Sequence, residues 1–452
     1  MNTEHYRNLD RRYLWHPYSR HSAIRDTAFP VIVRGEGIYL FDSDGRRYLD
    51  AISSWWACNL GHSHPRLVKA IASQAQCLQH SILGNLSHPG AIELAARLVE
   101  LFPDQATPER YAKASRCRRV FFSGDGASAV EAALKMAVQY WYNRGRPERR
   151  SFVSLGNAYH GDTLGAVSVG YVPEFHAPFQ PLLFPVYRAE SPCCGTCARG
   201  LRSDTCAQEC IASMADILAK HAPEIAAVIV EPMCQGAAGM RIYAPACLEK
   251  MAALCREHDV LLIADEIAMG YGRTGRMFAF EHAGIDPDIV CLGKGLTGGY
   301  LPMSATVVRE ALYETFADQP IDHTFYHGHT FAGNPVAAAA ALETLRVYEE
   351  DRIVARAREA GERLQTAMAP IRGLDGVRDV RGLGLLAAVE LAESNGQSGP
   401  ARARRIAAWL LQQGVLIRPL GSVVYLMPPL ITPVPVLDQL VRQVHEALVQ
   451  CP

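Results

Sequence analysis

Short apolar runs alternate with stretches of helical periodicity between about residue 65 and residue 330 of this chain. Runs of this length are typical of strands that are buried on both faces. Apolar side chains at helical spacing after the first run indicate an amphipathic helix. The alternation predicts an α/β fold, with a mostly parallel sheet covered by helices. The predicted strands span residues 118–122, 151–155, 226–230, 260–264, 289–292 and 304–308, and the helical stripe consists of Val130, Ala133, Leu134, Ala137, Val138 and Trp141.

The two ends of the chain follow a different pattern, with short strands near the start and a mixture of helices and strands after residue 335. An Asp44–Gly45 turn between apolar runs predicts a hairpin. We expect both ends to form one small α+β domain. The predicted segments are 1–64 for the N-terminal part of the small domain, 65–334 for the large domain and 335–452 for the C-terminal part of the small domain.

Composition narrows the possible functions. The chain has 452 residues, is 49% hydrophobic and 20% charged, and carries a formal net charge of -1. A chain without a basic patch has little electrostatic attraction for nucleic acid, so we expect no nucleic-acid partner. The N-terminus is polar, and no apolar stretch reaches the roughly 20 residues of a membrane helix. We therefore expect a cytoplasmic protein without a membrane partner.

Two of the predicted strands end in charged residues. The run at 260–264 leads into Asp265, and the run at 289–292 leads into Lys294 and a glycine-rich turn. Ligands of open α/β sheets bind at this carboxyl edge. A lysine and an aspartate there suit pyridoxal phosphate, since the lysine forms a Schiff base and the aspartate pairs with the pyridinium nitrogen. Taken singly, a lysine after a strand is usually a solvated loop residue, and an aspartate there is usually a helix cap or turn former.

A phosphate cradle and a ring-stacking residue can also be found. The stretch from Phe121 to Ala129 joins a strand to a helix and contains Gly124 and Gly126, which would let a phosphate approach the backbone. An ordinary capped turn remains an alternative for this stretch. Tyr159 follows another strand and could stack on a planar ring, although such aromatics are mostly packing residues.

Together these motifs resemble the class III aminotransferases, which are pyridoxal phosphate enzymes of fold type I. The resemblance includes the Asp265-Glu-Ile267 and Cys-Leu-Gly-Lys294 stretches, Glu231-Pro232 and the segment starting at Thr330, and it covers residues from about 12 to 450. It implies an α/β fold with a large cofactor-binding domain. It also implies ping-pong amino transfer, with pyridoxal 5'-phosphate as the cofactor.

The resemblance assigns roles to the cofactor-binding residues. Lys294 resembles the Schiff-base lysine, and Asp265 the partner of the pyridinium nitrogen. The other implied residues are Gly126 and Ala127 for the phosphate, Tyr159 and Ile267 for the two ring faces, and Thr330 for a phosphate contact supplied by the partner subunit. Lys294, Asp265 and Tyr159 are the implied catalytic residues. Because Thr330 would contact the phosphate in the partner subunit's site, the resemblance also implies a homodimer with a shared active site.

Further motifs resemble the biotin-pathway branch of this family, which converts 8-amino-7-oxononanoate to 7,8-diaminononanoate. They include His-Pro-Tyr at 16–18, Ser-Ser-Trp-Trp at 53–56 and Ile-Arg-Pro at 417–419. A guanidinium fork matches a carboxylate in a bidentate way, so Arg418 is the expected partner of the substrate carboxylate. The implied substrate-binding residues are Tyr18, Trp55, Arg273, Gly328, Arg418 and Tyr425.

The chain also departs from the family pattern, and the amino donor stays open. Ala127 stands where class III enzymes more often have a hydroxyl residue. Tyr425 is the residue expected in users of S-adenosylmethionine, which we favour as the donor, whereas His329 resembles relatives that use lysine. Another class III ω-amino acid or diamine transaminase is an alternative function.

Thirteen cysteines include a cluster that calls for separate consideration. Cys193, Cys197, Cys206 and Cys210 could hold a structural zinc, although their spacing fits zinc imperfectly. We favour a loop of free cysteines or a disulfide there, and we expect no metal. A zinc-bearing binding protein on an inactive aminotransferase fold is the remaining rival, and the presence of both Lys294 and Asp265 argues against it.

Overall fold

The computed structural model describes residues 2–102, 118–195, 197, 206–316 and 323–451. Within these ranges, none of the helices combines the length and the apolar character that a bilayer crossing requires.

The strands and helices follow in chain order. The strands are β1 (Ile32–Glu36), β2 (Tyr39–Asp42), β3 (Arg47–Asp50), β4 (Arg118–Ser123), β5 (Ser151–Leu155), β6 (Tyr187–Ala189), β7 (Ile225–Val230), β8 (Cys234–Gln235), β9 (Arg241–Ile242), β10 (Leu261–Asp265), β11 (Ile289–Leu292), β12 (Ser304–Arg309), β13 (Val377–Gly382), β14 (Ala387–Leu391), β15 (Val415–Leu416) and β16 (Val423–Leu426). The α-helices are α1 (Thr3–Tyr13), α2 (His21–Asp26), α3 (Ser53–Trp56), α4 (Pro65–Cys77), α5 (Pro89–Glu100), α6 (Gly126–Asn143), α7 (Leu164–Val169), α8 (Pro173–His176), α9 (Ala212–His221), α10 (Pro245–Glu257), α11 (Glu310–Tyr313), α12 (Pro335–Glu350), α13 (Ile353–Met368), α14 (Gly399–Gln412) and α15 (Val434–Gln450). Short 3-10 helices span Ala177–Leu182, Glu209–Ile211, Ala222–Glu224, Ala279–Ala283, Lys294–Thr297, Glu314–Phe316 and Ala369–Gly373.

A seven-stranded sheet in the order β4-β12-β11-β10-β7-β5-β6 forms the centre of the molecule. Its strands are parallel except β12, which pairs antiparallel with both β4 and β11. The mostly parallel sheet and the α/β fold predicted from the sequence are therefore confirmed. All six predicted strands are present, and β6 is an additional edge strand of three residues, too short to produce a clear apolar run.

The central strands are buried because helices cover both faces of the sheet. Every residue of β7, β10, β11 and β12 is buried, as expected for apolar strands inside an α/β fold. Helix α6 packs against β11 and β12 and has the predicted stripe on its buried face, with Val138 only partly buried at its edge.

The chain ends form two smaller sheets. One has the order β1-β2-β3-β15, and the other the order β13-β14-β16. The predicted hairpin is confirmed, since β2 and β3 pair antiparallel around the Asp44–Gly45 turn. Strand β15 pairs parallel with β3, with Val415 opposite Leu49, so both ends of the chain contribute to one sheet. The domain boundaries at 64 and 334 stay a prediction.

The predicted site residues lie together at one edge of the central sheet. Asp265 is the last residue of β10, and Lys294 lies just beyond the end of β11. These strands are parallel neighbours, with Asp265 opposite Cys291. Strand β4 leads into the N-terminus of α6 at the same edge, and Tyr159 follows β5. The carboxyl edge therefore carries the predicted site residues of four separate strands.

Candidate active site

A cavity of about 470 Å³ lies at the carboxyl edge of the central sheet. That volume lies within the range usual for cofactor pockets, roughly 300–1000 Å³. Its lining residues include a lysine, two buried carboxylates, a histidine and the start of a long helix. They are Trp56, Asp125, Gly126, Ala127, Tyr159, His160, Gly161, Asp162, Thr163, Glu231, Asp265, Ile267, Ala268, Met269 and Lys294.

One end of the cavity is the N-terminus of α6. The first backbone amides of a helix have no partner within the helix and carry the positive end of its dipole, so they favour a phosphate. The Asp125 carboxylate accepts hydrogen bonds from the backbone amide (2.9 Å) and the hydroxyl (3.1 Å) of Ser128, and so serves as the helix cap. A Cβ on Gly126 would lie only 2.9 Å from Cγ2 of Ile267. Glycine is therefore required for this packing.

The opposite end of the cavity is acidic. Asp265 is 5% exposed. Its Oδ2 lies 2.7 Å from Nδ1 of His160, and its Oδ1 accepts the backbone amide of Ile267 at 3.1 Å. These two contacts fix the orientation of the carboxylate. Nε2 of His160 is buried and has no hydrogen-bond partner among the described residues.

Lys294 lies at the side of the cavity, where its backbone has a left-handed φ of 42°. Its Nζ is 5.0 Å from the centre of the Trp56 ring. Burial lowers the pKa of Lys294, while the negative charges of Asp265, Glu231 and Asp162 oppose this shift. A lysine with a lowered pKa is better suited to act as a proton acceptor.

Tyr159 belongs to a hydrogen-bonded chain at the mouth of the cavity. Its hydroxyl donates to Oδ2 of Asp162 at 2.9 Å, and the hydroxyl of Tyr18 donates to the other oxygen of the same carboxylate. Burial and the hydrogen bond to Asp162 raise the pKa of Tyr18 to about 12. Burial and the Asp162 charge also raise the pKa of Tyr159. Both phenols therefore stay protonated at neutral pH and hold Asp162 in place.

A larger cavity of about 1110 Å³ adjoins the first. The two cavities share Trp56, Tyr159, Asp162 and Lys294. The expected substrate residues Tyr18, Trp55, Arg418 and Tyr425 all line this larger cavity. A molecule in the larger cavity would therefore reach Lys294.

Arg418 is held at the wall of the larger cavity by two contacts. Its guanidinium carbon lies 4.2 Å above the centre of the Trp55 ring, and one of its NH2 groups donates to the backbone oxygen of Tyr18 at 3.0 Å. These contacts orient the guanidinium and leave its other N–H groups available for a carboxylate. Three residues distant in sequence thus form one binding surface.

The Ser-Ser-Trp-Trp stretch forms the left-handed turn α3. Its four residues have φ values of 48°, 45°, 69° and 73°, and such a backbone costs roughly 1–2 kcal/mol per residue. The hydroxyl of Ser53 donates to the backbone oxygen of Met427 at 2.7 Å, and Nε1 of Trp56 donates to the Tyr425 hydroxyl at 3.1 Å. These bonds hold a turn that directs Trp55 and Trp56 into the cavities.

The structure does not bring Arg273 to either cavity, contrary to our expectation. Its side chain is 0% exposed. It donates to the backbone oxygens of Leu385 (3.0 Å) and Pro428 (2.6 Å), to Oδ1 of Asn59 (2.9 Å) and to the Ser53 hydroxyl (3.3 Å). A guanidinium with these partners supports the segments behind the cavities.

Gly328 and Thr330 also lie outside both cavities of this chain. Both residues are exposed, and their segment follows the undescribed residues 317–322. The position suits a residue that completes the site of a neighbouring subunit, which stays a prediction. The zinc set Cys193, Cys197, Cys206 and Cys210 is likewise not brought together: no group of three or more potential ligands in the described ranges could hold a metal ion.

Three site residues were missed by the sequence analysis as individual residues. His160 contacts Asp265, Trp56 faces Lys294, and the buried Glu231 accepts the backbone amides of Tyr159 (3.0 Å) and Gly236 (2.9 Å). Burial raises the pKa of Glu231 to about 7. Trp56 and Glu231 lie inside motifs that carry the resemblance, and His160 directly follows Tyr159 in the sequence, which was the available signal.

The chain belongs to the class III aminotransferase family, whose model, Aminotransferase class-III, matches residues 22–448. It is 39% identical to the adenosylmethionine-8-amino-7-oxononanoate aminotransferase of Geobacter sulfurreducens, over 99% of this chain and 98% of that protein. The crystal structure of the enzyme with the same name from Methanocaldococcus jannaschii superimposes with a TM-score of 0.91, at 37% identity and full coverage of both chains. The ω-transaminase of Pseudomonas jessenii in complex with PMP superimposes with a TM-score of 0.90, at 32% identity over 98% of this chain and 97% of that chain.

The cofactor of this family, pyridoxal 5'-phosphate, fits the smaller cavity. The α6 N-terminus offers amides to a phosphate, and Asp265 lies where a pyridinium nitrogen needs a carboxylate. Ile267 and Tyr159 line the walls between those ends. Thr163 adds a buried hydroxyl without a hydrogen-bond partner among the described residues, which is suited to a polar ligand. Lys294 is the lysine that borders the cavity.

The two arginines are expected to respond differently to the same substitution. Arg273→Met leaves several buried acceptors unpaired and should lower the free energy of unfolding by about 3 kcal/mol. Arg418→Met should change stability by no more than about 1 kcal/mol and reduce kcat/KM about 100-fold, since it removes charge-assisted hydrogen bonds to a carboxylate. Denaturant unfolding and steady-state kinetics measure both effects. A stable Arg273→Met enzyme with a raised KM would instead show that Arg273 binds the substrate.

Proposed function

We propose that this chain converts 8-amino-7-oxononanoate to 7,8-diaminononanoate in biotin synthesis. The observation that carries the proposal is the larger cavity, whose walls contain both Lys294 and the stacked pair of Arg418 and Trp55. The names of the relatives in Geobacter sulfurreducens and Methanocaldococcus jannaschii support the same reaction. The amino donor reacts first and leaves, and the keto acid then receives the amino group, so the reaction follows a ping-pong order.

Lys294 moves the proton at the reacting carbon of the substrate. When bound, pyridoxal phosphate supplies an electron sink that stabilises negative charge on this carbon. The lowered pKa of Lys294 gives it a neutral amine more often than an exposed lysine would have. Asp265, held by His160 and the Ile267 amide, provides the negative charge that a protonated ring nitrogen requires.

The remaining residues position the keto acid. Arg418 binds the carboxylate at the far end of the substrate, and the rings of Trp55 and Tyr18 line the path of its apolar chain. The rings of Tyr18 and Trp55 lie edge to face with centres 5.9 Å apart, so they form one apolar wall. The 8-amino-7-oxo end then reaches Lys294, and Trp56 covers this end of the cavity.

S-adenosylmethionine is the amino donor that we favour, and lysine is the second candidate. Tyr425, which lines the larger cavity, supports the first donor through its resemblance to users of S-adenosylmethionine. His329 supports the second through its resemblance to lysine users. The two donors differ in size and in charge, so direct kinetic comparison separates them.

The alternative function is another class III ω-amino acid or diamine transaminase. The structural similarity to the ω-transaminase of Pseudomonas jessenii supports this alternative. The Arg418–Trp55 pair argues for a substrate with a carboxylate far from the reacting carbon, which suits the keto acid.

The proposal extends to a cytoplasmic homodimer. The cysteines of the described ranges are all free thiols, as is usual in a reducing compartment.

A visible absorption titration of the holoenzyme tests the substrate. Addition of 7,8-diaminononanoate should abolish the yellow cofactor band, and 8-amino-7-oxononanoate should restore it, because the two compounds carry the cofactor through opposite half-reactions. The Arg418→Met variant should need much more of either compound. A holoenzyme that ignores the diamine but loses its colour with an ω-amino acid would rule out the biotin-pathway reaction.

Mixing two inactive variants tests the shared active site. Lys294→Ala removes the proton carrier, and Thr330→Trp blocks the phosphate contact that we assign to the partner subunit. A mixed dimer would contain one site with Lys294 from one chain and Thr330 from the other. After unfolding and refolding together, the pair should recover about a quarter of the wild-type activity, since about half the dimers are mixed and each has one intact site.

Each variant refolded alone is the control for this mixture and should stay inactive. An inactive mixture that contains mixed dimers, as verified with two affinity tags, would place Thr330 and Lys294 in the same chain's site. Activity of the Thr330→Trp enzyme alone would exclude Thr330 from the site altogether.

A further inference from the structure

A buried carboxylate lies beside the left-handed turn α3, although it lines neither cavity. Asp50 is the last residue of β3, and its side chain is fully buried. Nε2 of His62 lies 2.9 Å from its Oδ2. The hydroxyl of Ser54 donates to the same oxygen at 2.7 Å, and the backbone amide of Ile52 donates to Oδ1 at 3.3 Å. One carboxylate therefore connects β3, the turn and a histidine that follows the turn.

Asp50 and His62 form an ion pair at neutral pH. Burial favours the neutral carboxyl group, but hydrogen bonds from His62 and Ser54 keep the pKa of Asp50 below its usual value. Burial also opposes protonation of His62, yet the pKa of its ring is raised to about 9, chiefly because of the hydrogen bond to Asp50. Hydrogen bonds to an ionised group are roughly twice as strong as those between neutral groups. The bond from Ser54 is therefore a strong one.

His62 is itself held against Asp50 by the first two strands. Its backbone exchanges two hydrogen bonds with Gly37, which lies between β1 and β2, with N–O distances of 3.0 and 2.6 Å. A Cβ on Gly35 of β1 would lie 2.6 Å from Cβ of His62, so the histidine packs directly on the backbone of that strand. His62 therefore has little freedom to leave the carboxylate.

The turn that Asp50 contacts forms part of the wall of the larger cavity. Ser54 and Trp55 line this cavity and have φ values of 45° and 69°, in the region that residues other than glycine rarely adopt. The guanidinium carbon of Arg418 lies 4.2 Å from the centre of the Trp55 ring. The bond between Ser54 and Asp50 offsets the strain of this backbone. Loss of the bond would release Trp55, and with it the surface on which Arg418 rests.

We propose that Asp50 is a positioning residue for the substrate carboxylate and acts through the Ser54 hydroxyl. Asp50 holds Ser54 in the left-handed conformation, which fixes the ring of Trp55, and that ring orients the guanidinium of Arg418. His62 keeps Asp50 ionised and in place. The carboxylate that Arg418 binds rests on the proposed function, whereas the hold of Asp50 on the turn does not depend on it.

Two serine variants separate this role from a general loss of stability. Ser63→Ala is a matched control for Ser54→Ala, since Ser63 also has a left-handed φ, 53°, and donates one hydrogen bond of 2.7 Å, to the backbone oxygen of Gly35. Ser54→Ala should raise the KM for 8-amino-7-oxononanoate about tenfold, because a hydrogen bond to a charged group is lost. Its kcat should stay within about twofold of the wild type, as for a loss of binding alone. Ser63→Ala should match the wild type in both.

A double variant tests the path from Asp50 through Ser54. Asp50→Asn alone should also raise the KM for the keto acid by about tenfold. If Asp50 acts through the Ser54 hydroxyl, adding Asp50→Asn to Ser54→Ala should raise the KM by no more than about twofold further. Fully multiplied effects of the two substitutions would overturn this path.

Hydrogen–deuterium exchange of the holoenzymes, read by mass spectrometry, tests the hold on the turn without a substrate. The backbone amide of Trp56 donates to the oxygen of Ile52 at 2.8 Å, so it is protected while the turn is held. Ser54→Ala should speed exchange in peptides that cover residues 52–58 by about tenfold. Ser63→Ala should leave exchange in these peptides unchanged.

The two measurements distinguish failure of this proposal from failure of the proposed function. Unchanged exchange in the turn of Ser54→Ala would overturn the proposal, and so would a lower kcat at an unchanged KM. Faster exchange along the whole chain would also overturn it, since the serine would then have a merely structural role. A wild type that does not react with the keto acid would overturn the proposed substrate, and the exchange data would still decide whether Asp50 holds the turn.

Discussion

The parallel pairing of β10 with β11 is the constraint on which the site depends. Because Asp265 lies opposite Cys291 in this register, Lys294, three residues after Cys291 and two beyond the end of β11, lies at the same edge of the sheet. A register shift of one residue would direct the side chains at the strand ends to the opposite face. The buried sheet, with apolar residues on both faces, resists such a shift and so fixes the spacing between lysine and carboxylate.

The two ends of the chain supply residues of the larger cavity that the central sheet does not provide. The turn at Ser53–Trp56 places two tryptophans at the cavities. Its left-handed backbone conformation is unfavourable for residues other than glycine. Hydrogen bonds from Ser53 to Met427 and from Trp56 to Tyr425 connect this turn to the C-terminal strand β16 and its neighbours. Arg273 donates to the Ser53 hydroxyl of this turn and to the backbone oxygen of Pro428, just after β16, and so holds the same region from behind. The residues that line the larger cavity therefore rest on contacts between parts of the chain far apart in sequence.

Most of the fold and the cofactor side of the site could be predicted from the sequence. Buried strands leave short but continuous apolar runs, and the residues at their carboxyl ends follow from the strand assignment. Strands of two or three residues, such as β6, β8 and β9, are too short to leave a periodic signal. Arg273 shows a second limit, since a motif contains an arginine without indicating which way its side chain points. The cysteines show a third: the spacing of Cys193, Cys197, Cys206 and Cys210 grouped them in sequence, yet no three potential ligands among the described residues are placed to hold a metal ion.

The most direct test of the central claim is to identify the lysine that holds the cofactor. Reduction of the holoenzyme with sodium borohydride makes this attachment permanent, and peptide mapping by mass spectrometry then locates the modified residue. The account predicts modification of Lys294 alone. Modification of a different lysine, such as Lys135 on the outer face of α6, with Lys294 unmodified, would contradict it.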